Sequence, residues 1–183
     1  LGRLQYNYKG KYLLSFLGRY DGSSQFAPNN RWGFFPSASA AWNVSDEDFW
    51  NSISDVVNNF KIRASYGEVG YDQIPAYGYS STIGQAADYI FSDNDGSFTN
   101  GTAVRDYANE TLSWETSKSV NLGVDLAFLQ NKFVLTAEYY NTKKEDMLFP
   151  ITYASSSGAF NANGGPFDNN DHRNVILNVG NMT

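Results

Sequence analysis

Residues able to do covalent or metal chemistry are few in this chain of 183, and none falls into a working constellation. His172 is the only histidine and cysteine is absent. No thiolate or imidazole cluster can therefore assemble a transition-metal site, and His172 reads as a solvated loop residue. No G-x-S-x-G elbow presents a serine for a Ser–His–Asp triad. The run SDNDGS, with Asp93, Asp95 and Gly96, has the look of a calcium loop. The EF-hand register, however, puts Phe91 at its first ligand position and Thr102 at its last, where carboxylates are required. A solvated turn is the better reading, and Asp168, Asn169, Asn170 and Asp171 read the same way. Gly67-Glu68-Val69-Gly70 lacks the strand-to-helix context of a phosphate loop and reads as a turn. No catalytic residue, metal or cofactor is expected, and the chain is not read as an enzyme. What remains is binding chemistry: aromatic rings in polar stretches, namely Tyr77, Tyr79, Tyr89, Phe91, Tyr107, Tyr153 and Phe160, which offer large contact area at low entropic cost.

The elements that would position these rings follow from a period of two. Around the turn-rich run Arg19–Ser37, Tyr12, Leu14, Phe16, Gly18 and Tyr20 share one face of a strand; Leu13, Ser15, Leu17, Arg19 and Asp21 share the other. Beyond the turn, Trp32, Phe34, Pro36, Ala38, Ala40, Trp42 and Val44 oppose Gly33, Phe35, Ser37, Ser39, Ala41 and Asn43. Large rings sit toward the strand ends on the apolar face and small or aliphatic residues fill the middle, which is the layout of a membrane-spanning β-strand.

Composition agrees with a β protein. Aromatics make up 16% of the chain, with 13 Tyr and 13 Phe, and charged residues only 17%, against roughly 25% in soluble domains. No apolar stretch approaches the roughly 20 residues of a helical span. The mean hydropathy of −0.45 does not argue against a barrel, whose lumen and loops are polar. A net charge of −6 with scattered cations leaves nucleic acid out as a partner.

About seven strands are expected on this pattern: near Leu4–Lys9, Tyr12–Asp21, Trp32–Val44, Phe60–Gly67, Trp114–Phe128, Phe133–Lys144 and Val175–Met182. A further short one is possible near Tyr77–Thr82. Between the third and fourth, SDEDFWNSISDVVNNF reads as a short amphipathic helical turn with Ser45 as N-cap, Asp48 completing a capping box, and Phe49, Ile53 and Val56 at helical spacing. Connections after strands one, three and five are short; those after two, four and six are long. Outer-membrane barrels have short periplasmic turns and long extracellular loops, so the long loops should face the medium. Two aromatic girdles follow: an outer one of Tyr20, Trp32, Tyr66, Trp114 and Tyr139, and an inner one of Tyr8, Tyr12, Trp42, Phe60, Phe128 and Phe133. The opposite parity makes Arg19, Asp21, Arg63, Glu115, Asn121, Asp125 and Glu138 lumen-facing. Pro36, without an N–H for the ladder, is the place where a bulge could shift the parity. The long loops, about Gly67–Thr111 and Glu145–Asn174, look too polar to form a core of their own and too long to be idle. An exported barrel needs a targeting segment, which these residues do not hold, so they are expected to be an arc of a longer chain.

In this order, DGSSQFAPNNRWGFFPS, AWNVSDEDFW, KIRASYGEVG, LSWETSKSVNLGVDLAFLQNKF, EYYNTKKEDML and NVGNM resemble the barrel of SusC/RagA-type TonB-dependent transporters over nearly the whole chain. Departures fall in loops: Gln25, Tyr71 and the Asn161–Val175 stretch differ from the common pattern. The resemblance implies an all-β fold, with residues 1–183 part of a C-terminal transmembrane antiparallel β-barrel of about 22 strands, a size that needs a plug. It also implies the outer membrane as location, import of oligosaccharides or peptides driven by the TonB complex, and a SusD-like surface lipoprotein over the mouth. The plug and TonB box lie outside these residues. The competing expectation is a soluble or secreted β-rich carbohydrate-binding module using the loop aromatics to stack sugar rings, since one-sided alternation also occurs in sandwiches.

Overall fold

The computed structural model describes residues 1–74, 76–85, 89–90, 98–99, 101–152 and 174–183. Six long strands form one antiparallel sheet: β1 (Gly2–Tyr8), β2 (Tyr12–Gly22), β3 (Trp32–Asn43), β4 (Val57–Tyr71), β9 (Glu115–Phe128) and β10 (Phe133–Glu145), each hydrogen-bonded to the next in that order. Short paired strands lie in the connections: β5 (Thr82–Gln85) with β8 (Thr102–Asp106), β6 (Tyr89–Ile90) with β7 (Phe98–Thr99), and β11 (Leu148–Thr152) with β12 (Asn174–Asn178).

The register carries the expected faces across the sheet. Residues opposite one another in an antiparallel pair share a face. One row runs Tyr6, Leu14, Ala40, Ala64, Leu122, Tyr139; another runs Leu4, Phe16, Ala38, Tyr66, Val120. The large members of this apolar face, among them Leu4, Phe16, Leu122 and Leu135, are exposed. The other face carries the row Gln5, Ser15, Ser39, Ser65, Asn121, Tyr140. Pro36 sits in register opposite Gly18, so the parity passes it unshifted. Pairing between β3 and β4 nevertheless stops beside it, at Ser37–Gly67. The Phe35 ring fills the space where the two strands part: a Cβ on Gly70 would lie 2.0 Å from its Cζ, and one on Gly33 2.6 Å.

Several expectations are corrected. The fourth strand runs from Val57 to Tyr71 and takes in Gly67–Gly70, which pair with β9 and form no turn. The helical turn is two 3-10 segments, Val44–Asp46 and Asp48–Ser52, capped by Asn43 and Glu47 without side-chain bonds; Ser45 is inside the first, not its cap. Tyr77 and Tyr79 lie in a turn, and the strand begins at Thr82. The seventh strand does not join the sheet as drawn. Residues 174–178 pair with β11, and only Met182, bridged to Lys144, reaches the sheet. Trp114 precedes β9 and is half-buried, so it leaves the outer girdle.

At the long-loop end the connections share a small core, contrary to the expectation drawn from their polarity. Phe26, Ile74 and Leu112 are buried together, with Trp114, Leu148 and Ile176 packed on them. Each connection supplies only one or two apolar side chains, and the core exists because five segments pool them. At the opposite end the turns are tight. Lys9 and Gly10 both take positive φ, 53° and 73°, in the Tyr8–Lys11 hairpin turn. Leu129, Gln130 and Asn131 are all left-handed, with φ of 52°, 59° and 62°.

Candidate functional site

The polar face is organised around Arg63. Its Nε donates to Asp125 Oδ2 at 2.8 Å, and its Nη2 donates to Asp125 Oδ1 at 3.2 Å and Glu138 Oε1 at 2.7 Å. Thr136 Oγ1 donates to Asp125 as well, at 3.1 Å. The three charged residues come from β4, β9 and β10, and Gly123 is what lets one arginine span them. Gly123 is the β9 residue opposite both Arg63 and Glu138, and a Cβ there would stand 3.0 Å from Arg63 Nη2. Asn121, one alternation along, points its Nδ2 at Ser65 Oγ, 3.5 Å away. Arg19 and Asp21, near the end of β2, pair with each other. Arg19, Asp21, Arg63, Asp125 and Glu138 are thus paired on this face, among rows of serines and asparagine.

Glu115 differs from Arg19, Asp21, Arg63, Asn121, Asp125 and Glu138, the other residues expected to face the lumen. It is buried, accepts from the Leu148 N–H at 3.1 Å and lies 3.8 Å from Lys144 Nζ. It ties β9 to β11 and β10 and is not open to a passage.

Loop aromatics are only partly brought together. Tyr77 and Tyr79 are neighbours, with ring centroids 6.5 Å apart, and Tyr77, at φ 63°, is exposed. Tyr107 is half-buried and engaged. Tyr89 opens β6, paired with Thr99 of β7. Phe91, Tyr153 and Phe160 lie outside the described residues, as do His172, Asp93, Asp95 and the Asp168–Asp171 run. Among the described residues no group of three acidic, histidine or cysteine side chains is placed to hold a metal ion.

Residues that alternation misplaced, as with Trp114, or missed carry the architecture of the loop end. Trp114 meets Phe26 at 5.3 Å and Phe35, edge-on, at 5.2 Å, and its Nε1 donates to the Arg31 carbonyl at 3.3 Å. Asn178 accepts from the Ser113 N–H and donates to the carbonyls of Ser113 and Asp146, each at 2.9 Å. Asn109 Nδ2 donates to the Ile176 carbonyl at 2.7 Å. A sequence signal existed for Phe35 alone, as a bulky ring on an otherwise small and polar face.

The short-turn end has one electrostatic hub. Glu47 accepts from Tyr12 Oη at 2.7 Å, Lys11 Nζ at 3.0 Å and Trp42 Nε1 at 3.2 Å. The tyrosine hydroxyl first, then the lysine, hold its carboxyl below the usual carboxylate range. The same contact raises the Lys11 ammonium. Tyr12 and Trp42, stacked at 6.2 Å, are thereby fixed at the end of the apolar face.

An antiparallel meander with one exposed apolar face, ringed by aromatics at its ends, and one polar face is a wall segment of a membrane-spanning β-barrel. The family model "TonB dependent receptor-like, beta-barrel" matches residues 2–183, and the chain belongs to that family. Among curated proteins it is 40% identical over 157 residues to TonB-dependent receptor P3 of Formosa agariphila, covering 86% of this chain and 15% of that protein. It is 33% identical over 154 residues to TonB-dependent receptor SusC of Bacteroides thetaiotaomicron, covering 80% and 15%. The chain thus spans about 15% of the length of these relatives. Of solved structures, the RagAB peptide importer in its closed-closed state shares the fold, with a TM-score of 0.75 and 22% identity over 98% of this chain and 17% of that one.

Proposed function

We propose that the chain is part of the barrel wall of a TonB-dependent importer that takes up oligosaccharides or peptides across the bacterial outer membrane. The observation that carries this reading is the two-faced register in a chain matched to the receptor-barrel family from residue 2 to 183. The apolar face meets lipid, and the polar face, with Arg63, Asn121, Asp125 and Glu138, lines the lumen. Residues 1–183 are an arc of the C-terminal barrel domain, and the plug and TonB box belong to the rest of the protein. The soluble binding module has no support: its apolar face would need a covering layer, whereas Leu4, Phe16, Leu122 and Leu135 are exposed.

By the rule of short periplasmic turns, the Phe26–Ile74–Leu112 core sits at the extracellular mouth. The loops it fastens dock a SusD-like surface lipoprotein, and TonB drives transport through segments elsewhere. In the full-length transporter, deleting residues 88–102 should weaken co-purification of that lipoprotein while leaving the barrel assembled. Full co-purification with solute uptake lost would assign the segment to the solute instead.

A further inference from the structure

The turn between β3 and β4 carries apolar side chains that nothing among the described residues covers. Phe49, Ile53 and Val56 are 64%, 45% and 57% exposed, so their helical spacing does not serve a core. Trp50 shows which way the segment leans. Its ring stacks on Phe60 at 5.3 Å, with Phe49 edge-on to it at 6.4 Å, and its Nε1 donates to the Val57 carbonyl at 2.9 Å. Phe60 belongs to the apolar face, paired with Leu126 of β9. The turn is thus laid against the outside of the sheet and does not fold across its polar side. The neighbouring turn joins it: the Leu129 N–H donates to the Val56 carbonyl at 2.9 Å, and Leu129 and Phe133 are exposed beside it. Acidic groups flank these residues along the segment, with the Asp48 side chain fully in solvent and Asp55 exposed.

We infer that Phe49, Ile53 and Val56, with Leu129 and Phe133, form an apolar foot that enters the headgroup–acyl boundary of the periplasmic phospholipid leaflet. The inference rests on the barrel-wall reading. The occupant follows from continuity: the patch extends the apolar face past its Tyr12–Trp42 girdle, at the height where amphipathic segments lie in a membrane interface. Asp48 and Asp55 then mark the water side. The foot would fix the vertical position of the β3–β4 and β9–β10 turns against the bilayer.

The test uses the full-length transporter, carrying no other reactive cysteine, in phospholipid vesicles. Single cysteines replace Phe49, Ile53, Asp55, Asn121 or Leu122 and carry an environment-sensitive fluorophore. Its quenching is read with brominated phospholipid and with aqueous iodide. Probes at Phe49→Cys and Ile53→Cys should be quenched several-fold more by brominated lipid than the probe at Asp55→Cys, which iodide should reach. Iodide quenching at 49 and 53, with Leu122→Cys still reading lipid, overturns the foot and leaves the wall intact. Quenching by neither agent at 49 and 53 means a protein partner covers the patch and also overturns it. Lipid contact at Asn121→Cys in place of Leu122→Cys would overturn the wall reading itself.

Discussion

At the scale of single residues, two glycines of this wall show how one substitution acquires unequal costs. A Cβ at Gly123 meets the end of the flexible Arg63 side chain, whereas one at Gly70 falls inside the Phe35 ring, which is held by Trp114 and Gly33. Gly123→Ala should therefore cost no more than the half-exposed ion pairs it disturbs, about 0–1 kcal/mol. Gly70→Ala overpacks a filled site and should cost about 1–3 kcal/mol, and adding Phe35→Ala should recover part of the loss. Heat-induced unfolding of the full-length barrel in detergent ranks them, and equal midpoints for both single variants would remove Phe35 as the wedge between β3 and β4. Glu47 gives the pH counterpart. Its carboxyl is lowered from 4.5 in the folded chain, so its contribution is present above that value and lost as pH falls through the lower folded value. Lys11, raised from 10.5, contributes below 10.5 and loses its part as pH rises beyond it. Between these limits the pair should be insensitive to pH. Glu47→Gln should flatten the acid limb of a stability–pH profile without changing its shape near neutrality, and an unchanged acid limb would show that other carboxylates set it.

At the scale of elements, the short turns depend on side chains that reach from one connection to the next. Asn58 Oδ1 accepts from the Gln130 and Asn131 N–H groups at 2.6 and 3.3 Å, while its Nδ2 donates to the Ser54 carbonyl at 2.9 Å. It thereby anchors three consecutive left-handed residues, each a costly conformation for a side chain with a Cβ. Asn58→Ala should lower the unfolding midpoint by the equivalent of about 1–3 kcal/mol and increase hydrogen exchange at Gln130 and Asn131; protection unchanged at those amides would mean the turn holds itself. The long strands were legible in the sequence because a barrel wall buries neither face in the other, and period-two alternation then runs through most of β2, β3, β9 and β10, broken at Thr116 and Lys118 of β9. The failures come where that logic ends. Trp114 keeps the parity of Val120 and Leu122 but precedes β9, where loop packing and not the pleat sets its direction. Val175, Ile176 and Leu177 look like a wall strand, yet pair with β11 beside the loop core. The β3–β4 turn has helical spacing, but its caps come from Asn43 and Glu47, and the Trp50–Phe60 stack decides its path. The Arg63 cluster was half-visible: parity put its members on one face, while the role of Gly123 in joining them needed the register.

At the scale of the whole molecule, the sheet makes sense only as part of something larger. Its apolar face is exposed from β1 to β10, and β1 pairs along one edge only, with β2. In hydrocarbon such an edge leaves polar backbone groups unsatisfied at several kcal/mol each, and the proposed barrel would cover it with neighbouring strands. On the proposed reading, the loop core at one end and the Glu47 and Asn58 networks at the other would hold the strands at fixed heights relative to lipid, with the polar face toward the lumen. The most direct measurement of this account compares Leu122→Arg with Asn121→Arg in the full-length protein, scoring membrane assembly by the gel mobility of the folded, unheated barrel. Leu122 and Asn121 are adjacent on β9 and point to opposite faces. Leu122→Arg should lose about 2–4 kcal/mol if it lies near the bilayer midplane and deplete the folded band, while Asn121→Arg should assemble almost as the parent does. Equal tolerance of the two, or a loss confined to Asn121→Arg, would contradict a wall with lipid on one side and water on the other.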